Sequence, residues 1–285
     1  MTARRRPRIA LHRPTTRRPG LALDRATALV TGATGGLGQA IARALATRGT
    51  SVLLSGRRAD ALGELGAELG ARWVVGDLSR AQDVARIGDE AAAAGVDVLV
   101  ANAALPATGQ LAALTMDEID RMLAVNLRAS IALTHRLAPE MAARGRGALV
   151  FVSSLSGQVA SPASSLYSAT KFGLRGFALG LRQDLGPRGV GVSLVIPGFV
   201  RDAGMYADAG VALPPGVGTS TPCQVALAVL RAIERAPAQV YVAPMSLRVG
   251  TALASIAPVT AARVARLVGS DAIAERFAER QRDRR

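Results

Sequence analysis

Seven short apolar runs recur along this 285-residue chain, at 26–32, 51–56, 71–77, 96–103, 147–154, 190–198 and 238–244, with longer helically patterned segments between them. A strand that faces water on one side alternates apolar and polar residues, whereas these runs are apolar almost throughout. That pattern belongs to strands buried on both faces, in a parallel sheet covered by helices on each side. The chain is therefore expected to form one α/β domain with a doubly wound, seven-stranded parallel sheet. In such sheets a ligand sits beyond the carboxyl ends of the strands, at the crossover in strand order. Function is to be sought where the runs end: Thr31 and Gly32, Gly56 and Arg57, Asp77, Asn102, Ser153 and Ser154, Pro197 and Gly198.

Composition agrees with one such domain. Hydrophobic residues make up 49% of the chain and aromatics only 3%, so a core of closely approaching elements with small side chains is expected. A single cysteine, Cys223, forms no internal disulfide, and the two histidines, His12 and His135, are too far apart in sequence to suggest a zinc site. No metal is expected, and a reducing cytoplasm is the default compartment. The net charge of +14 lies mainly at the ends: residues 1–20 hold seven arginines and no acid, and 263–285 hold seven arginines against four acids. Such runs are read as solvated tails, which disfavours a nucleic-acid partner. Residues 1–24 are expected to be a basic disordered arm, without the apolar centre of a secretory signal.

The domain proper is placed at 25–244 and a C-terminal helical extension at 245–285. Glycine and proline break the pattern over 199–222, where a short helix and a loop are expected. Residues 245–268 are apolar but carry Arg248, Arg263, Arg266 and Pro258, which makes them a poor membrane span. Leu253, Ile256, Thr260, Val264, Leu267 and Val268 fall near one helical face. Packing on the domain is favoured for that face, with contact to a membrane surface as the alternative.

The turn TGATGGLG, residues 31–38, follows the first strand and opens a helix. Free N–H groups at a helix start attract phosphate, and glycines at 32, 36 and 38 let a pyrophosphate approach the main chain. Position in the first βαβ unit makes this a Rossmann-like dinucleotide site. A nucleotide P-loop is excluded, because its lysine is missing. The second strand ends in SGRR, without the acidic residue that would hydrogen-bond the ribose 2′-hydroxyl of NAD. Arg57, with Arg58, suits the 2′-phosphate of NADP instead, so NADP(H) is favoured over NAD(H).

Lys171 is the only lysine among the chain's 35 basic residues, and it follows Tyr167 by four in LYSATKFGL. Residues four apart share a helical face, so both side chains can enter one cleft. There a compact ammonium is expected to lower the phenol's pKa, so that Tyr167 exchanges a proton with a substrate oxygen, and to reach a cofactor ribose. Ser154, at the end of the fifth run, is placed to hydrogen-bond the same oxygen. Asn126, within an expected helix over 115–143, is a candidate for a backbone or water link to the lysine.

With these residues assembled, the chain resembles the short-chain dehydrogenase/reductase family over roughly residues 25–244. The resemblance rests on TGATGGLG, Asp77 in GDLS, Asn102-Ala103-Ala104, the tetrad Asn126, Ser154, Tyr167 and Lys171, and Pro197-Gly198. It implies tyrosine as acid/base, serine orienting the carbonyl, lysine tuning the tyrosine and binding ribose, and asparagine supporting a relay water. It also implies cofactor contacts from Gly32, Thr34, Gly36, Leu37, Gly38, Arg57, Asp77, Leu78, Asn102, Ala103, Tyr167, Lys171, Pro197, Gly198 and Val200. Assembly as a homodimer or homotetramer through helices over 115–143 and 164–186 is implied as well. Three departures stand out: Asp202 replaces the usual threonine of P-G-x-V-x-T, which contacts the nicotinamide carboxamide, NAAL replaces NNAG, and the basic arm and the tail beyond 245 have no counterpart in the minimal family domain.

The leading expectation is an oxidoreductase moving hydride between NADP(H) and a carbonyl or secondary alcohol. The alternative is a dinucleotide-binding regulatory or scaffold protein of the same fold that has lost turnover. Enoyl reduction is disfavoured by the close spacing of tyrosine and lysine, and a serine hydrolase by the lack of a G-x-S-x-G elbow. Leu155, Val159, Phe199, Met205 and Tyr206 are expected to line a cleft for an apolar ketone or acyl-type substrate.

Overall fold

The computed structural model describes residues 20–106, 108–211, 213, 217–267 and 270–281. All seven apolar runs are strands: β1 (Thr27–Thr31), β2 (Ser51–Gly56), β3 (Arg72–Val75), β4 (Val98–Ala101), β5 (Gly147–Val152), β6 (Val190–Pro197) and β7 (Gln239–Val242). They form one parallel sheet in the order β3-β2-β1-β4-β5-β6-β7, so the crossover lies between β1 and β4. β5 is buried at every position, as its unbroken apolar sequence requires, while the edge strand β3 exposes Arg72 and Trp73.

The helices are α1 (Gly36–Thr47), α2 (Ala59–Leu69), α3 (Ala81–Ala93), α4 (Met116–Leu123), α5 (Ala129–Ala143), α6 (Ser165–Leu185), α7 (Met205–Ala209), α8 (Pro222–Arg235), α9 (Met245–Ile256), α10 (Pro258–Leu267) and α11 (Ser270–Arg280). On one sheet face, α1 and α8 bury Ile41, Leu45, Val225, Val229 and Ile233 against Val30, Leu54 and Val150. On the other, α3, α5 and α6 bury Ile87, Leu133, Leu137 and Leu174 against Leu29, Leu99, Leu149 and Phe151. Local chemistry sets several helix starts. Thr115 with Glu118 and Thr221 with Gln224 form reciprocal capping boxes at α4 and α8, and Pro222 opens α8 where its missing N–H costs nothing.

Three sequence expectations change. The helix expected over 115–143 is α4 and α5 joined by a π-helical turn at Ala124–Arg128, which carries Asn126. The basic arm expected over 1–24 lies outside the described residues up to 19, and residues 20–24 are not a disordered continuation of it. Leu23 is buried in the core, Leu21 packs against the same cluster, and the Leu21 N–H donates to Ile233 O at 3.3 Å. Finally, Leu253, Ile256 and Val264 do not pack on the body but are exposed. In the same segment the side chain of Leu267, and Val268 altogether, lie outside what is described, as do 212 and 214–216 of the 199–222 loop.

Leu149 sits fully buried in β5, between helices on one side and neighbouring strands on the other. Leu149→Ala is expected to lower unfolding stability by about 2–5 kcal/mol, measured by chemical denaturation.

Candidate active site

The carboxyl ends of β1 and β4 are tied together by one threonine and one asparagine. Thr31 Oγ1 accepts hydrogen bonds from the backbone N–H of Asn102 (3.1 Å) and of Ala103 (3.2 Å). The Asn102 side chain donates back to Thr31 O at 3.0 Å and Gly32 O at 3.4 Å. Gly32 has φ +65°, and a Cβ there would stand 2.9 Å from Ala103 Cα. A Cβ on Gly38 would collide with the Gly32 carbonyl, and one on Gly36 with Ala203 of the loop after β6. Helix α1 begins without a side-chain cap or an acidic residue in its first turn, so its leading N–H groups remain available to an anion. Glycines that cannot carry a Cβ, beside an uncapped helix start, fit a dinucleotide pyrophosphate.

Around this turn, Thr34 O accepts from Arg58 Nη2 at 2.6 Å and from Gln39 Nε2 at 3.3 Å. Arg58 is thus committed to holding the turn, while Arg57 is exposed beyond β2. Leu37 packs near Gly204, and Leu78 and Val200 are buried. Asp77 Oδ1 accepts from Ser79 N (2.9 Å) and Ser79 Oγ (2.8 Å). Burial pushes the Asp77 carboxyl up, but these bonds together with Arg57 and Arg121 hold it below the usual aspartate value. Beyond β6, Pro197 ends the strand, Gly198 N donates to Val242 O at 3.0 Å, and Asp202 adopts φ +69° with an exposed carboxylate 3.6 Å from Arg201 Nε.

Ser154 follows β5 and caps a 3₁₀ turn at Leu155–Gly157, its hydroxyl accepting from Ser156 N at 3.2 Å. That turn lies directly on α6, because Gly157 has no side chain: a Cβ there would be 2.8 Å from Lys171 O. The close approach brings the Ser154 side chain near the Tyr167 hydroxyl, where it acts to lower the phenol's pKa. Lys171, one turn further along α6, is buried, donates from Nζ to Val152 O at 3.1 Å and lies over the Tyr167 ring, 5.6 Å from its centroid. Asn126 lies apart from this trio's hydrogen bonds. Its Oδ1 accepts from Leu105 N (2.7 Å) and its Nδ2 donates to Leu105 O (2.9 Å), pairing with the peptide of the loop after β4 as a neighbouring strand would.

The phenol's pKa moves the opposite way from the sequence expectation. Burial raises Tyr167 to about 12, and Ser154 only partly offsets this. Burial also lowers Lys171, to about 8. The ammonium is aimed at Val152 O and stands over the ring, so its charge does not offset the desolvation of a phenolate.

Sequence reading passed over several residues at this edge. Gly157 and Ala203 act through close approach to partners distant in sequence. Gln281, buried, accepts from Thr108 Oγ1 at 2.9 Å and donates to Met205 O at 2.8 Å, so it spans the loops after β4 and β6. Phe199, Tyr206 and Phe277 form an aromatic stack, with centroids 5.3 and 5.8 Å apart. The expected cleft residues Phe199 and Tyr206 are therefore engaged in packing against α11. Leu155 does face the site, beside Gly198 and Leu247.

A doubly wound parallel sheet with a glycine cradle at its switch point and a Ser-Tyr-Lys cluster beside it defines a dinucleotide-dependent oxidoreductase of the CH–OH/C=O class. The short chain dehydrogenase family model matches residues 26–210. The chain belongs to the short-chain dehydrogenase/reductase family, whose members bind NAD(P). It is 35% identical over 224 residues to the ketoacyl reductase HetN of Nostoc, covering 76% of this chain and 78% of that protein. Among solved structures it resembles a 3-oxoacyl (acyl-carrier-protein) reductase from Agrobacterium tumefaciens with NADP bound, at TM-score 0.71 and 27% identity over 78% of this chain and 94% of the other. A short-chain dehydrogenase from Sphingobium yanoikuyae in complex with NADPH matches at TM-score 0.70 and 26% identity, over 86% and 96%.

The two buried groups set opposite pH dependences. Between about 8 and the ordinary 10.5 of lysine, the unfolded chain binds more protons than the folded one at Lys171, so stability rises with pH there; below pH 8 both states are charged and the burial cost is constant. Between 10 and about 12 the folded chain keeps the Tyr167 proton longer, so that contribution to stability falls. Denaturation across a pH series should show the rise above pH 8 in the wild type and its loss in Lys171→Met; an equal rise in both would disprove it.

Proposed function

We propose that this protein is an NADP(H)-dependent reductase of apolar ketones or acyl-type carbonyls, with Tyr167 as the acid/base. The observation that carries the reading is the grouping of Ser154 and Tyr167 where the Gly157 turn rests on α6, backed by the buried Lys171. A bound nicotinamide dinucleotide supplies or accepts the hydride. Ser154 donates a hydrogen bond to the carbonyl oxygen, and Tyr167 delivers its proton to that oxygen as the alcohol forms. A phenol held near 12 is protonated at neutral pH, the state from which it gives its proton to a carbonyl oxygen. Lys171, protonated below about pH 8, stabilises the phenolate that remains once its ammonium turns from Val152 O toward the phenolate oxygen.

Asn126 acts as a positioning residue. It fixes the loop after β4 through Leu105, and the π-turn that carries it aligns α5 behind the site. Arg57, exposed and near Asp77, is the guanidinium for a 2′-phosphate, since Arg58 holds Thr34 O. The NADP bound to the Agrobacterium relative and the NADPH bound to the Sphingobium relative support this preference, and the ketoacyl relatives support the substrate class. The apolar wall of Leu155 and Leu247 suits an acyl chain. Assembly as a homodimer or homotetramer is read onto α5 and α6, where Ile131 and Phe172 are exposed.

Tyr167→Phe should lower turnover by about 10²- to 10⁴-fold while NADPH binding, followed by fluorescence titration, survives. Lys171→Arg should damage both. Full activity in Tyr167→Phe would overturn the mechanism. For the cofactor, Arg57→Asp should reduce the NADPH-to-NADH ratio of kcat/KM by about tenfold or more, as loss of a charge-assisted phosphate contact requires; an unchanged ratio would remove Arg57 from that role.

A further inference from the structure

Helices α9 and α10 leave the carboxyl edge of the sheet after β7 and present an apolar face to solvent. Met245, Val249, Leu253 and Ile256 recur at helical spacing on α9, and Val259 and Val264 continue on α10; Leu253 is 64% exposed and Ile256 82%. Among its described side chains α9 has none that is fully buried. It is anchored to the body from its other side, where Leu247 stands beside Gly198 and the Arg248 guanidinium lies 5.2 Å from the Tyr241 ring centroid. Six large apolar side chains in adjacent helices exceed the isolated exposures normal for a protein surface.

The charge around this face selects among occupants. With Arg248 turned to the Tyr241 ring, the cations of this face are Arg263 and Arg266 of α10, and residues 245–270 contain no aspartate or glutamate. Two-fold pairing with a second copy would bring these arginines together with no acid in the segment to offset them. An anionic bilayer offers both complements at once: acyl chains for the apolar face and phosphate or carboxylate headgroups for the guanidiniums. No helix among the described residues is long and apolar enough to cross a membrane, so the contact is one of two successive helices lying in the interface plane.

We propose that α9 and α10 form an in-plane docking surface for anionic membranes. The surface lies beside the cleft, since Leu247 on the opposite face of α9 borders Gly198 and Leu155. The full-length protein should co-sediment with vesicles of phosphatidylcholine and phosphatidylserine at physiological salt, and far less with phosphatidylcholine alone. Leu253→Ser with Ile256→Ser keeps every charge, including the arginine-rich termini, and should weaken binding by at least about tenfold at unchanged melting temperature. Three results would overturn the proposal: no binding to the anionic vesicles, equal binding by the double variant, which would assign it to the termini, or dissociation of an oligomer by that variant in light scattering, which would assign the face to a second copy.

Discussion

The site depends first on how β1 is tied to β4. A parallel sheet whose strand order reverses there splays two chain segments apart, and something must hold their ends in register while leaving room for a ligand. Thr31 does this with one hydroxyl, which accepts two backbone N–H groups beyond β4, and Asn102 returns the bonds to the first turn. The consequence is a left-handed Gly32 pressed against Ala103, and from that a turn too tight for side chains at 32 and 38. The departure NAAL is accommodated because the segment's essential contacts run through the Asn102 side chain and the backbone N–H groups of 102, 103 and 105.

The same economy of space governs the Ser-Tyr-Lys cluster. Gly157 lets the turn after β5 rest on α6, and this contact, rather than helical spacing alone, brings Ser154 to Tyr167. Burial then moves the phenol and the ammonium in opposite directions, each toward its neutral form. Such a pair is neutral-leaning at rest and gains most from charge that develops during reaction. Arginine at 171 would resist this adjustment, since guanidinium stays charged and is too broad for the space beside Val152 O. In a chain that uses arginine for every other cation, the lone lysine marks that requirement.

The seven strands were legible because parallel burial leaves an unambiguous apolar signature, and the glycine turn and the Tyr167–Lys171 spacing because they are local in sequence. What escaped was non-local or depended on burial. The partner of Asn126 is a peptide 21 residues away, and nothing at position 126 announces a π-turn. The direction of the Tyr167 shift follows from how deeply α6 is covered, which composition does not report. Arg57 and Arg58 read alike as sequence, yet one is tied to Thr34 and the other is exposed. For 245–268 the failure has another cause: the same amphipathic pattern serves a helix packed on a core and one facing an interface, and only the fold decides between them.

Part of what joins the loops after β4 and β6 lies beyond the family match. That match ends at residue 210, whereas the loops flanking the cleft are joined by Gln281 and by the Tyr206–Phe277 stack. Thr108 and Met205 belong to the shared fold, but their separation is set by a helix outside the matched segment. The Ser154, Tyr167 and Lys171 cluster lies wholly within 26–210. The link through Gln281 does not, so the family match speaks to that cluster and not to how these two loops are held together.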